Sequence, residues 1–265
     1  MRKTILVVMI AALTAALSFA QNGTPSSKAT AQINTAVGCT VTGTTNIGDT
    51  LPLSCHDIFS GASVDVGPDN FVTIMSTPIK ISNSQSLFVS PSLVTGLYTN
   101  TAVKTHTGST STATAEGGVY MRAILTDPVT ANVIQIGDPV AVCTNDILGC
   151  QSVGKDFGVV LDSRVQTLSQ TLSACVVDVV VGGVPLTGTC SFDSTVQLIL
   201  KTTSAHTFNF IFPNVGVGVY NVAIQVAVDS NATLNAGNGT AIGAAAFGLG
   251  SVTVESVRLV HNFAF

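Results

Sequence analysis

The sequence predicts an all-β protein: a two-sheet antiparallel β-sandwich, immunoglobulin-like or jelly-roll in type, stapled by disulfides. Three observations predict it. Short β-branched runs alternate with turn residues from about residue 70 onward, the pattern of a sandwich. Late segments alternate apolar and polar residues with a period of two, which puts the apolar set on one face of a strand. No amphipathic helix of three turns follows the N-terminal segment, and 9% charged residues are too few to coat helical faces. Ser, Thr and Asn can cover exposed strand faces and turns instead.

Composition narrows the class further. With 265 residues the chain supports one large β domain or two smaller ones. A hydrophobic content of 46% with so little charge argues against disorder, which needs the opposite balance. The net charge is −4 and no Lys/Arg-rich run occurs, so the footprint of a nucleic-acid binder is missing.

The elements follow in chain order. Residues 1–20 form an export signal: Met1-Arg2-Lys3 is a positive start, residues 4–17 are uncharged and mostly apolar, and Ser18-Phe19-Ala20 places small residues where a signal peptidase reads. The run is shorter than the roughly 20 apolar residues of a spanning helix, and no second long apolar run follows, so no stable membrane span is expected after cleavage before Gln21. The protein is expected outside the cell or at its surface. Residues 21–62 have little periodicity and read as an irregular Ser/Thr-rich lead-in carrying one stapled hairpin. Residues 63–265 form the sandwich domain.

All six cysteines lie after the cleavage site, and an even number in an exported chain predicts disulfides. Loop closure favours the neighbours Cys39–Cys55, Cys143–Cys150 and Cys175–Cys190, each flanking turn residues. No CxxC occurs and no histidine spacing beside the cysteines suits zinc.

Strand candidates are residues 71–75, 79–81, 86–89, 119–125, 133–136, 159–161 and 165–172, with a turn at Thr95-Gly96. Residues 100–114 carry almost no large apolar residue and read as a long Ser/Thr loop. Phe208, Phe210 and Phe212 share one face; Tyr220, Val222, Ile224, Val226 and Val228 form a second apolar row. Pro213-Asn214 and Gly216 to Gly218 then make the two rows a hairpin or neighbouring strands. In the last strand the phase of Val252 and Val254 differs from that of Val257, Leu259 and Phe263, which predicts a β-bulge at Glu255-Ser256.

Catalytic constellations mostly fail, and the chain is read as non-catalytic. Gly149, Gly154 and Lys155 have the spacing of a phosphate-cradling loop, but Asp156 stands where a hydroxyl must hold magnesium. Cys150 occupies the first glycine of a serine elbow around Ser152. His56, His106, His206 and His261 stand singly and read as solvated or capping side chains, with a secreted hydrolase built on His56 or His106 as a rival. The two glutamates, Glu116 and Glu255, and the absence of Trp weaken a glycosidase. No cofactor is expected, with calcium the one candidate: Asp229, Asn231 and Asn235 in one loop, Asp65 and Asp69 in another, although neither loop supplies enough oxygens alone.

The final nine residues, an alternating strand ending Phe263-Ala264-Phe265, resemble the assembly signal of bacterial outer-membrane barrels. That resemblance implies a membrane barrel, but aromatic girdles are missing. Asn22, Asn231 and Asn238 are glycan acceptors in a eukaryotic host. The expected role is a structural, adhesive or ligand-binding module at the cell surface or extracellularly. Residues 100–114 and 229–239 are the loops expected to hold the ligand. No regular Thr-x-Thr ladder is read for an ice- or mineral-binding face.

Overall fold

The computed structural model describes residues 29–45, 64–65, 71–139, 158–181, 183–235 and 238–258. Within them the chain forms β1 (Ala29–Asn34), β2 (Gly38–Thr45), β3 (Val64–Asp65), β4 (Val72–Ile81), β5 (Gln85–His106), β6 (Thr110–Thr126) and β7 (Val133–Ile136). These are followed by β8 (Val159–Thr171), β9 (Cys175–Val181), β10 (Val184–Cys190), β11 (Asp193–Thr207), β12 (Phe210–Val215), β13 (Gly218–Asn235) and β14 (Asn238–Val257).

Two sheets pack face to face. The first has the order β11-β5-β14-β2-β3, with β1 also on β14 and β12 also on β5. The second has the order β4-β13-β6-β7, with β8 also on β6. β9 and β10 form a separate two-stranded hairpin. Pairing is antiparallel except for the short β2–β3 contact.

β1 and β2 occupy successive stretches of the same edge of β14, and β11 and β12 do the same along β5. Taking each such pair as one long strand, and leaving aside the short β3, β7 and the hairpin, leaves eight positions. The first sheet then sets the first, eighth, third and sixth side by side, and the second sheet the second, seventh, fourth and fifth. That nesting of two Greek keys is the jelly-roll topology. Among the described residues the two sheets do not close into a barrel of the kind the C-terminal resemblance implies.

The core follows the period of two. Met75, Ile79 and Ile81 of β4, Val119, Met121 and Leu125 of β6, and Val222, Ile224, Val226 and Val228 of β13 face inward from the second sheet. Leu87, Val89, Leu93 and Leu97 of β5, Phe210 and Phe212 of β12, and Phe247, Val252 and Val254 of β14 meet them. At the other end the sheets converge. A Cβ on Gly243 would lie 2.0 Å from the Glu116 carbonyl oxygen, and one on Gly117 would lie 2.7 Å from that of Ala244. Small residues line this close approach: Ala113, Ala115, Ala241 and Ala245 are fully buried.

Several expectations change. Residues 29–45, read as lead-in, supply β1 and β2 of the first sheet. Thr95-Gly96 is no turn but lies inside β5, which is long enough to carry both halves of the first sheet. The Phe row and the Tyr220 row are not a hairpin: β12 joins β5 while β13 joins β4 and β6, so the connection crosses between sheets. The bulge is at Leu249, between Gly248 and Gly250, with φ of 33°. Register is continuous from Val252 to Val257, because the Leu249 insertion has already moved the inward set from odd to even positions. Cys175–Cys190 is formed, with the two residues opposite one another across β9 and β10. Cys39 is also disulfide-bonded. Cys55, Cys143, Cys150, His56, Asp69, the segment 149–156, His261 and the C-terminal residues 259–265 lie outside the described residues, as do residues 1–28.

Candidate functional site

Most of the two expected ligand loops is strand. β5 runs to His106 and β6 starts at Thr110, so residues 107–109 alone join them. β13 likewise runs to Asn235 and β14 starts at Asn238. Low hydrophobicity made both segments look like loops, yet each alternates small inward residues with polar outward ones. Ser111, Ala113 and Ala115 are buried, while Thr110, Thr112, Thr114 and Glu116 face out.

The outward residues form an array. On β6 and β8 the hydroxyls of Thr110 and Thr171 are 2.9 Å apart, those of Thr112 and Ser169 3.0 Å, and those of Thr114 and Thr167 3.1 Å. β13 continues the rows, with Asn235 opposite Thr112 and Thr233 opposite Thr114. Neighbouring strands are about 4.8 Å apart, and alternate residues along a strand about 6.8 Å, so the grid is regular. Each hydroxyl pair consumes one of its two protons, leaving a donor and several lone pairs for a ligand. The sequence reading missed this face although Thr110-x-Thr112-x-Thr114 and Thr167-x-Ser169-x-Thr171 are legible ladders. The missing signal was that β6 and β8 are neighbours.

The proposed calcium residues fall differently from expectation. Asp229, Asn231 and Asn235 lie on one face of an extended strand, not around a loop, so the first and last are about 20 Å apart and cannot share an ion. Asp65 is in β3. Among the described residues, no group of three His, Cys, Asp or Glu side chains comes together as a metal site.

Two histidines meet carboxylates, against the reading of solitary ones. His106 contacts Asp193 through Nδ1, and Lys104 Nζ lies 3.2 Å from the same carboxylate. The Lys104 hydrogen bond, then that of His106, holds the Asp193 carboxyl below its ordinary value. These strand-end side chains are exposed. His206 lies at the seam between the sheets, where β8 faces β5 and β11. Its Nε2 is 2.8 Å from Ser204 Oγ and 3.5 Å from Asp162 Oδ2, and Thr95 Oγ1 donates to that same Asp162 oxygen at 2.6 Å. A nucleophile relay needs the two ring nitrogens to face different partners. Here one nitrogen faces both, so the arrangement is a polar clasp across the seam.

The seam continues along β8. Gln166 accepts from Thr99 at 2.6 Å and donates to Thr101 at 2.6 Å and to the Leu198 carbonyl at 2.8 Å. Arg164 donates to Thr202 at 2.6 Å, and Gln170 to Ser194 at 2.8 Å. Sequence reasoning singled out none of these residues, since pairing β8 with β11 across the sandwich requires the topology.

The fold defines the class as a disulfide-bearing jelly-roll. No family model and no curated protein matches the chain. Among solved structures, similarity is found to one titled "Structure of infectious bursal disease virus Gx strain", 11% identical, covering 87% of this chain and 40% of that one, with a TM-score of 0.12. The chain spans less than half the length of that structure, and likeness at this level carries no argument. No helix among the described residues is long and apolar enough to cross a membrane.

Proposed function

We propose that the chain is an exported, non-catalytic binding module of the cell surface or extracellular space. Its binding face is the outer surface of the second sheet where β8, β6 and β13 lie side by side. The observation that carries this reading is the in-register hydroxyl array of Thr110, Thr112, Thr114, Thr167, Ser169 and Thr171. Rotamers fixed by cross-strand bonds lose little entropy on binding, and a regular grid of neutral donors and acceptors matches an extended ligand of the same character. That ligand class is a neutral polysaccharide lying along the strands. The export signal and the disulfides support an extracellular setting.

Retention of the purified protein on insoluble polysaccharides and on glycan arrays tests this. Thr112→Lys with Thr114→Lys places two long charged side chains on the grid without touching the core, and should weaken binding at least tenfold. Retention unchanged in that variant, or no retention of the parent protein on any neutral polysaccharide, overturns the proposal.

A further inference from the structure

The β9–β10 hairpin pairs with neither sheet, and among the described residues nothing covers its apolar side chains on either face. Val176, Val177, Val179, Val180, Val181, Val184 and Leu186 are each between 45% and 69% exposed. An isolated two-stranded hairpin is marginal in water, and the Cys175–Cys190 bond is what closes this one. Immediately after it, β11 is a terminal strand of the first sheet with no strand on its outer edge among the described residues, and Val196, Leu198, Ile199 and Leu200 are also exposed. Neither Pro nor a bulge protects that stretch, and no charge falls between Val196 and Leu200. Long, uncharged edges of this kind are templates for pairing with another chain.

We propose that the hairpin and the β11 edge together form a self-association surface, and that its occupant is a second copy of this chain. The match of area and charge singles out that occupant. The seven hairpin side chains, five on the face of Val177 and two on that of Val176, together present on the order of 600 Å² of apolar surface, and those of β11 bring the total over both faces to on the order of 900 Å². A stable interface needs about 800 Å² from each partner. Residues 175–190 carry one charge, Asp178, so an uncharged patch meets an uncharged patch. In a two-fold dimer the hairpin of each copy lies along the β11 edge of the other, which covers both elements at once. The surface is separate from the hydroxyl face of the second sheet, so this proposal does not depend on the polysaccharide reading.

Sedimentation velocity of the disulfide-intact protein, from low to high micromolar concentration, should show a dimer. Val180→Glu with Leu186→Glu in the hairpin, and separately Leu198→Glu in β11, should each raise the dissociation constant at least a hundredfold. Far-ultraviolet circular dichroism checks that both variants keep their sheets. Hydrogen exchange should show the β11 edge amides protected in the dimer and exposed in the variants. A parent protein that stays monomeric throughout overturns the proposal. So does a dimer unaffected by both variants, or a chain that co-sediments with phosphatidylcholine vesicles in place of self-association.

Discussion

Gly243→Ala is the sharpest test of how the two sheets meet. The added methyl would lie 2.0 Å from the Glu116 carbonyl oxygen and 2.6 Å from that of Asn231. Both obstacles are backbone, on β6 and β13 of the facing sheet, so no side chain can swing away. Relief requires the sheets to part by more than an ångström at their tightest point, disturbing the packing of Ala113, Ala115 and Ala241. Overpacking of a dense core costs about 1–3 kcal/mol where side chains can adjust, and the upper end applies when backbone must move. We expect a loss of about 3 kcal/mol, hence a fall in melting temperature of about 6–12 °C for a domain of this size. Urea denaturation should show the midpoint dropping by about 1 M with an unchanged slope. Gly188→Ala is the matched control, because its nearest heavy atom would be 3.8 Å away, within ordinary contact. That change should leave the midpoint alone or raise it slightly. If Gly243→Ala loses less than about 1 kcal/mol, the close approach of the sheets is wrong.

Three further outcomes follow from the polar contacts. Gln166→Leu strands the hydroxyls of Thr99 and Thr101 and the Leu198 carbonyl, and should cost about 2–3 kcal/mol by chemical denaturation; adding Thr99→Val and Thr101→Val should recover part of the loss, since removing all partners together is cheaper than orphaning some. Carboxyl NMR should find Asp193 titrating below its ordinary value of 3.8, with Lys104→Met shifting it back further than His106→Ala. Because its folded value is depressed, the stabilisation from Asp193 is present above the unfolded value and lost as pH falls through the folded one. Asp127 Oδ1 accepts from the Val129 and Thr130 amides at 2.8 Å each, so Asp127→Ala should lower the melting temperature slightly, while Asp127→Asn keeps most of the turn's stability.

Much of the fold is legible where the sheets stand far apart. The inward residues Val222, Ile224, Val226 and Val228, and Val119, Met121 and Leu125, fall on a period of two because a wide gap between sheets needs bulk to fill it. Residues 133–136 match β7 residue for residue, and Cys175–Cys190 was readable because its ends close a short hairpin. The sheet to which a strand belongs was not readable. β12 follows β11 in the chain and sits beside it on β5, while β13, two residues further on, lies in the other sheet. Local alternation carries no record of that jump, because a strand has the same period whichever sheet it joins.

Where the sheets converge, the signal inverts. A narrow gap favours Gly, Ala and Ser at the inward positions 111, 113, 115, 117, 241, 243 and 245, which show no large apolar residue although they are as buried as Phe212. The same narrowness that made residues 100–114 look like a loop makes Gly243 intolerant of a single methyl. On the outer surface the backbone ladder holds β8, β6 and β13 in register, which places the Thr and Ser hydroxyls of β6 and β8 close enough to bond across strands. Widening that end of the sandwich should therefore disturb the hydroxyl array as well as stability. A destabilised but folded Gly243→Ala protein is expected to lose polysaccharide retention at temperatures well below its melting point, although residue 243 faces the core and touches no ligand.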